Sequence, residues 1–308
     1  MSRLFYPTSY GFRPGKSQHQ ALEMLFKEVS FKGKYYIIDA DMANYFGSID
    51  HGMLREFLDQ RIKDGVIRNM IDKWLKAGVL EDGRISYPEE GTPQGGVISP
   101  LLSNIYLHYV LDDWFIQAIQ PRLKAASKLI RFADDFLLLF RSKEDAERVM
   151  NVLPKRLGKY GLTLHPEKTK LVEVNNRDGK GGQTFDFLGF THYMGKSRKG
   201  HRILKRKTSK KKLKASLQRI NEWIRNNRHK AVEQLIGELN RKLQGHYGYY
   251  GITFNGRSLL HYHHKVRRLL YKWMNRRGGK SPMNWDTFQT TILKHHPLKQ
   301  PRIVHSYL

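Results

Sequence analysis

The sequence predicts an α+β fold in which an antiparallel sheet with covering helices is followed by an all-helical basic region. Two apolar strands flank a pair of adjacent acids at 134–135, and a third apolar strand at 35–41 also ends in acid. After Phe190 the chain changes to long segments with apolar residues three and four apart, the spacing of amphipathic helices. The predicted domains are therefore 1–190 and 191–308.

The charge of the chain divides at the same place. The 308 residues carry a net charge of +27. Residues 1–190 hold 27 Lys and Arg against 24 Asp and Glu, a net of +3, whereas residues 191–308 hold 28 against 4, a net of +24. A basic half joined to a near-neutral half is typical of a polyanion-binding domain beside a chemical one, with general solubility as the alternative.

Two absences narrow the class of protein. The chain has no cysteine, so a disulfide framework, a thiolate metal site and a cysteine nucleophile are excluded. No apolar run reaches the roughly 18 residues that span a bilayer, and the N-terminus has no apolar signal core. We therefore expect an intracellular chain without a membrane partner.

The acids at 134–135 give the strongest indication of chemistry. The run Phe136–Phe140 lacks polar alternation and predicts a buried strand, and Lys128–Phe132 predicts the strand before it. Asp134 and Asp135 then lie at a hairpin tip, where two like charges beside buried strands need a cation. Solvated turn acids are the alternative for an isolated Asp-Asp pair, but the flanking strands favour a metal.

The strand at 35–41 supplies a third carboxylate. A strand period of two places Ile37, Asp39 and Asp41 on one face, so Asp41 can meet Asp134 across neighbouring strands. Oxygen ligands without a protein cage suit Mg²⁺, which takes its other ligands from water and substrate phosphates.

Apolar periodicity predicts the remaining elements. A helix is expected after Ser17, its predicted N-cap, and an apolar hairpin at 185–190. Strands and a turn are expected at 161–174. The other predicted helices are Met53–Gln60, Val66–Ala77, Leu101–Val110, Glu144–Tyr160, Leu213–Ile224, Ala231–Tyr250 and Leu259–Trp273.

Several residues of the first domain allow both a functional and an ordinary interpretation. Arg13 and Lys16 at a helix entrance suit a phosphate, or they are solvated cations. Phe46 walls a nucleotide site beside the metal, or it packs in the core. The Gly/Pro-rich loop at 91–96 is a platform for a base or sugar, or a plain turn. Lys168 near a turn donates a proton to departing pyrophosphate, or it is solvated.

The cationic peak of the second domain lies at 205–214. It predicts a surface that follows nucleic-acid phosphates, with a solvated helix face or a localisation-like patch as alternatives. The candidate RNA contacts are Lys205, Arg206, Lys207, Lys210, Lys211 and Lys212.

These motifs, taken in order, resemble the right-hand palm of reverse transcriptases, specifically those of bacterial group II introns. The palm segments are SYGFRPGKS at 9–17, IIDADMANYFGSIDH at 37–51, GTPQGGVISPLLSNIYL at 91–107, RFADDF at 131–136, GLTLHPEKTK at 161–170 and FLGF at 187–190. HYGYYG at 246–251 and PRIVHSYL at 301–308 resemble the helical thumb or maturase region of that family.

The resemblance implies an RNA-directed DNA polymerase with two Mg²⁺ ions, for which Mn²⁺ is an expected substitute. Asp41 and Asp134 would bind the metals with support from Asp135, Lys168 would be the general acid, and Phe46 would exclude a 2′-hydroxyl. Further nucleotide or template contacts would be Arg13, Lys16, Thr92, Pro93, Gln94, Gly95, Gly96 and Phe132, and the primer grip would be Phe187, Leu188 and Gly189.

The partners implied are an RNA template, a DNA primer, deoxynucleoside triphosphates and a group II intron RNA, in a bacterial cytoplasm. A homodimer is left open. No counterpart of the family's N-terminal fingers motifs or of a C-terminal endonuclease is expected in this chain. Two alternatives therefore stand beside the polymerase: a maturase-like splicing cofactor that only binds RNA, and a truncated remnant that folds poorly.

Overall fold

The computed structural model describes residues 4–76, 79–81, 84–86, 98–175, 182–277 and 282–307, with side chains described outside 76–86. These residues form two compact units, Met1–Leu188 with Met194–Leu204 and Gly189–Tyr193 with Lys205–Leu308. The predicted division into functional domains after Phe190 stays a prediction.

The described strands are short, and most lie in the first unit. In chain order they are β1 Tyr36–Ala40, β2 Met42–Ala43, β3 Val79–Glu81, β4 Arg84–Ser86, β5 Ser127–Phe132, β6 Asp135–Phe140, β7 Thr163–Leu164, β8 Lys170–Glu173, β9 Phe185–Phe187, β10 Phe190–Lys196 and β11 Arg202–Thr208.

The described helices include two π-helical stretches. The α-helices are α1 Gln18–Ser30, α2 His51–Asp59, α3 Gly65–Lys76, α4 Ser99–Leu107, α5 Lys143–Gly158, α6 Lys210–Asn227, α7 Val232–Tyr250, α8 Gly256–Met274 and α9 Trp285–Thr287. The π-helical stretch His108–Ile119 continues α4, and Phe288–Leu293 continues α9. Tyr45–Ser48 and Gln120–Arg122 are 3₁₀ turns.

The central sheet has four antiparallel strands in the order β5-β6-β1-β8. Strand β6 is buried on both faces, because Leu137, Leu138 and Leu139 are all inaccessible to solvent. This confirms the buried strand expected from an apolar run without alternation. The α+β class with an antiparallel sheet is likewise confirmed.

Two helices of the first unit begin at polar N-cap residues. Ser17 caps α1 in a reciprocal capping box with Gln20, as the sequence predicts, and the Asp50 side chain accepts from the Met53 amide at the start of α2. Apolar residues of α4 and α5 pack with those of the sheet in one core, to which α5 contributes Ala146, Val149, Leu153 and Leu157.

The second unit has its own core, built from one face each of α6, α7 and α8. Its helices begin only at Lys210, because the cationic stretch before them contains β11. The expectation of an all-helical region from residue 191 is therefore wrong for 191–208. Alternating burial of Leu204, Arg206 and Thr208 shows the period of a strand within a highly charged sequence. No helix of the described residues is both long and apolar enough to cross a membrane.

Candidate active site

The acids at 134–135 lie where the sequence places them, at the tip of the hairpin between β5 and β6. Phe132 pairs with Asp135 as the last rung of the ladder, so Ala133 and Asp134 form a two-residue turn. Ala133 has φ of 59°, a left-handed conformation that a residue with a Cβ seldom adopts. The turn therefore has to be held by contacts from elsewhere in the fold.

Strand β1 brings Asp39 and Asp41 to the same end of the sheet. Ala40 pairs with Phe136 and Asp39 with Leu137, so Asp41 follows the end of β1 beside the start of β6. Residues opposite one another in an antiparallel pair share a face. Asp39 and Asp135 are therefore diagonal neighbours on one face, whereas Asp41 lies between β1 and β2, outside the ladder.

The carboxylates repel one another and are withdrawn from solvent, so the pKa values of three of them are raised. Burial, followed by the charge of Asp41, raises the pKa of Asp134. Burial, followed by the charge of Asp39, raises the pKa of Asp135 to about 7, although the Leu188 backbone amide opposes this by bonding to the carboxylate. Burial also raises the pKa of Asp39 to about 6, against the opposing charge of Lys170. Asp39 is thus a member of the acidic cluster that the predicted site omits.

Lys168 lies beside Asp41, with 2.8 Å between its Nζ and a carboxylate oxygen. The turn that carries it is tied to the same residue, because the His165 amide donates to the Asp41 carbonyl over 2.7 Å. More than half of the Lys168 side chain is exposed, so the ion pair is worth at most about 1 kcal/mol. A weakly held ammonium group of this kind can exchange a carboxylate for a phosphate.

A fully buried ion pair anchors the hairpin. The Arg131 guanidinium donates to both Asp112 oxygens over 2.7 and 2.5 Å, to Asn104 Oδ1 over 2.8 Å and to the Ala133 carbonyl over 3.0 Å. Arg131 and Asp112 are both inaccessible to solvent. A buried charge of this kind persists only when paired and bonded, and one of its bonds is to the carbonyl of the strained residue in the turn.

The N-terminal segment packs on the same turn. The Asn104 side chain also donates to the Gly11 carbonyl over 2.7 Å, and the Tyr10 amide donates to the Arg131 carbonyl over 2.8 Å. A Cβ added to Gly11 would overlap the backbone nitrogen of Ala133. Only glycine therefore lets this segment lie directly against the hairpin.

Arg13 and Lys16 make contacts that the phosphate hypothesis does not include. Arg13 donates to the carbonyls of Tyr6 and Ser9, each over 2.7 Å, and the Lys16 ammonium lies 5.2 Å from the Tyr10 ring centre. Arg13 thus closes the loop at the start of the described chain, and contact with a nucleotide would compete with those bonds.

The predicted aromatic contacts differ in their surroundings. Phe46 is half-buried, lies 5.3 Å from the Tyr45 ring centre and packs against the core. Phe132 is half-buried beside the hairpin, 6.5 Å from the ring centre of exposed Phe12. The predicted platform residues Thr92, Pro93, Gln94, Gly95 and Gly96 lie outside the described residues.

The predicted primer-grip residues lie around the turn between β9 and β10. Phe187 is buried, and both Leu188 and Gly189 have positive φ, 48° and 80°. Since the Leu188 amide bonds to the Asp135 carboxylate, the structure connects this segment to the acidic hairpin. The sequence gives no sign of that bond.

The candidate RNA contacts of the second half are mostly accessible. Lys205 is half-buried, and Lys207, Lys210, Lys211 and Lys212 are exposed. Arg206 differs: it is fully buried under the Tyr307 ring, and burial lowers its pKa to about 10. Arg206 therefore cannot contact an RNA bound at the surface of this structure, because its side chain lies on the buried face of β11.

The described residues contain no group of three acidic or histidine side chains placed to hold one metal ion. Asp41 and Asp134 are nevertheless close enough for mutual repulsion. An oxygen-only pair of this kind fits Mg²⁺ when substrate phosphates and water supply the remaining ligands.

The sequence pattern does not mark Asp39, Asp112, Arg131 and Asn104 as parts of the site. One available signal is an arginine within an otherwise apolar buried strand, which requires a buried acid as its partner. Another is the eight-residue spacing of Asn104 and Asp112, which approximates two helical turns.

Paired aspartates on a hairpin tip, beside a strand that ends in acid, thus lie at one end of an antiparallel sheet. The chain belongs to the reverse transcriptase (RNA-dependent DNA polymerase) family, which it matches over residues 1–192. Residues 201–289 match the group II intron maturase-specific domain. The family resemblance stated from the motifs is thereby confirmed.

Three relatives are similar to different lengths of this chain. Protein YkfC of Escherichia coli is 34% identical over 64% of this chain and 58% of that protein. A 91 kDa protein in the cob intron of Schizosaccharomyces pombe is 29% identical over 82% of this chain and 39% of that protein. Group II intron-encoded protein LtrA of Lactococcus lactis is 36% identical over 37% of this chain and 18% of that protein. The chain thus spans 58% or less of the length of each.

Proposed function

We propose that this chain is an RNA-directed DNA polymerase of group II intron type that also binds intron RNA. The reaction is transfer of a nucleotidyl group from a deoxynucleoside triphosphate to a primer 3′-hydroxyl on an RNA template. The observation that carries the proposal is the mutual repulsion of Asp41, just after β1, and Asp134, just before β6, in a chain of the reverse transcriptase family.

Asp41 and Asp134 would hold two Mg²⁺ ions, with Mn²⁺ as a substitute, and Asp135 would support them from the adjoining position. Bound ions would supply activation of the primer hydroxyl and neutralisation of the leaving pyrophosphate. The raised pKa of Asp134 is consistent with a carboxylate that needs a cation to stay charged.

Other residues would position substrate and move a proton. Lys168, weakly paired with Asp41 at 2.8 Å, would turn to the triphosphate and protonate the departing pyrophosphate. Phe46 would press on the sugar and exclude a 2′-hydroxyl, and Phe132 would lie under the nucleotide. The loop at 92–96 would contact template and nucleotide, and 187–189 would hold the primer end.

The basic second half would bind the group II intron RNA and the template–primer duplex through exposed cations such as Lys210, Lys211 and Lys212. With 28 Lys and Arg against 4 Asp and Glu in residues 191–308, it has the charge to follow a phosphate backbone. A bacterial cytoplasm is the proposed location, and a homodimer stays open.

The polymerase is tested by primer extension on an RNA template with deoxynucleotides and Mg²⁺. Asp41→Asn should abolish extension, because the amide cannot replace an anionic ligand. Asp59→Asn is the matched control, since Asp59 is an exposed helix residue whose side chain pairs with Arg68. Extension by Asp41→Asn at the control's rate would overturn the proposal.

The maturase-specific match favours a second function, assistance of intron splicing by RNA binding alone. In that case Lys210→Gln, Lys211→Gln and Lys212→Gln together should abolish splicing assistance, while Asp134→Asn should leave it intact. Equal losses in both variants would argue against a separable binding role.

A further inference from the structure

The second unit contains a groove of about 860 Å³ between α6 and α8. Its floor is apolar and its rim is cationic. The floor consists of Leu213, Leu217, Leu269 and Tyr271, and the rim carries Lys210, Lys214, Lys265, Arg268 and Lys272.

The groove is a continuous face of two helices. On α6 the lining positions start at Lys210 and recur three and four residues apart as far as Asn221, and on α8 they run from Lys265 to Lys272 with similar spacing. The face extends about 16 Å along α6 at 1.5 Å per residue. The neighbouring faces, with Ile220 and Val266, are buried in the core of the unit.

The rim lacks its counter-charge. All five cations are exposed, no acidic side chain lines the groove, and none of the five forms an ion pair with an acid among the described residues. Lys210 also lies in the first turn of α6, which contains no acid, where the helix dipole disfavours positive charge. Such a cluster repels itself unless a polyanion is bound.

The floor distinguishes between polyanions. Leu213, Leu217 and Leu269 are half-buried and leave apolar surface at the bottom of the groove. A duplex presents phosphates to the rim but keeps its bases stacked inside, so the floor would contribute nothing to its binding. An unpaired nucleotide has a flat apolar face that gains from contact with leucine and tyrosine side chains.

We propose that the α6–α8 groove binds an unpaired RNA segment, with its bases on the leucine floor and its phosphates on the cationic rim. The inference rests on the proposed RNA binding by this half of the chain and adds the strandedness of the ligand and the residues that read it. It is independent of the polymerase chemistry.

The test measures the anisotropy of a short fluorescein-labelled RNA without self-complementarity, free or annealed to its complement, with the full chain. The floor variant is Leu217→Gln with Leu269→Gln. Its control is Leu260→Gln, since Leu260 is 61% exposed on α8 and does not line the groove. The floor variant should weaken single-strand binding roughly tenfold, the loss of one stacked base, and change duplex binding less than twofold. Leu260→Gln should change neither.

The rim variant is Lys214→Gln with Lys265→Gln and Arg268→Gln. Its slope of log affinity against log salt should be smaller by about 2 for the single strand. A control variant with equal charge loss replaces exposed cations outside the groove and should retain most of the affinity: Arg241→Gln, Arg257→Gln and Lys294→Gln. Exposed cations add little to packing, so both of these variants should fold. Their comparison therefore still tests the inference if the floor variant fails to unfold cooperatively.

Three results would overturn the inference. The first is a floor variant that binds the single strand with wild-type affinity, and the second is a floor variant that binds single strand and duplex with equally weakened affinity. The third is displacement of the RNA by polyglutamate at lower charge equivalents than by unlabelled RNA, which would assign the groove to an acidic protein. If the wild-type chain binds no RNA, the proposed RNA-binding function fails instead.

Discussion

Replacement of Asp112 by asparagine tests whether the buried Arg131 pair holds the acidic hairpin in place. Arg131 and Asp112 are both inaccessible to solvent and share two bonds of 2.7 and 2.5 Å. In the Asp112→Asn variant the Arg131 guanidinium keeps its charge, but its hydrogen-bond partners are then all neutral. Removal of one member of a buried pair costs about 3–5 kcal/mol of unfolding free energy, which lowers the melting temperature by roughly 6–20 °C for a unit of this size.

The assay combines thermal unfolding with single-turnover primer extension at a temperature where every variant is folded. Because Arg131 also donates to the Ala133 carbonyl, a shifted turn should lower the extension rate at least about tenfold. RNA affinity should change less than twofold. Asp113→Asn is the matched control at the neighbouring position. Its amide oxygen can still accept from the partly exposed Tyr6 hydroxyl, so the loss of acceptor charge should cost about 1 kcal/mol at most.

A double variant separates folding from positioning. Arg131→Met with Asp112→Leu removes both charges, so much of the lost stability should return. The extension rate should stay low, because nothing then bonds to the Ala133 carbonyl. An Asp112→Asn chain with an unfolding free energy within 1 kcal/mol of wild type, or a double variant with full activity, would show that the buried pair does not hold the hairpin.

Three further predictions, two of them with a control variant, concern the surroundings of the hairpin. Gly11→Ala forces a Cβ into the backbone of the hairpin turn and should cost about 1–3 kcal/mol in denaturant unfolding, whereas Gly245→Ala, with open space in α7, should stabilise by roughly 0.5–1 kcal/mol. Asp135→Asn should raise the melting temperature at pH 8 more than at pH 5 in the absence of divalent metal, because the pKa of Asp135 is about 7 when folded and 3.8 is its ordinary value. The protonated carboxyl stabilises the fold below pH 4, and this is lost as pH rises through 7. Lys168→Gln should slow extension about 100-fold, and Lys170→Gln, 3.9 Å from Asp39, should slow it less than threefold.

Three results would contradict these predictions. Equal stability changes in the two glycine variants would show that the turn can move aside. A pH-independent difference for Asp135→Asn would show that this carboxyl does not titrate in the folded chain. Equal rates in the two lysine variants would remove Lys168 from the proton transfer.

The parts of the fold that were predictable depend on local pattern. The apolar run at 136–140 and the acids before it locate the hairpin, and Ser17 locates the start of α1, because strand burial and helix capping are decided within a few residues. The place of Asp41 in the candidate site was predictable from the strand period and from the expectation of a metal.

The parts that were missed depend on distant partners. Arg131 lies 19 residues from Asp112 and 27 from Asn104, and no local pattern specifies those pairs. Asp39 joins Asp135 only through the register of β1 against β6. Arg206 sits among lysines in the sequence but on the buried face of β11, so charge density alone suggested exposure.

The proposed role of Asp134 is to carry nucleotidyl transfer at the hairpin tip. Its most direct test is the single-turnover rate of incorporation of one deoxynucleotide on an RNA template with Mg²⁺, for wild type and Asp134→Asn at matched RNA occupancy. The wild type should incorporate the deoxynucleotide, and the variant should incorporate none above background, with unchanged RNA affinity. Incorporation by Asp134→Asn at the wild-type rate would contradict this role of Asp134.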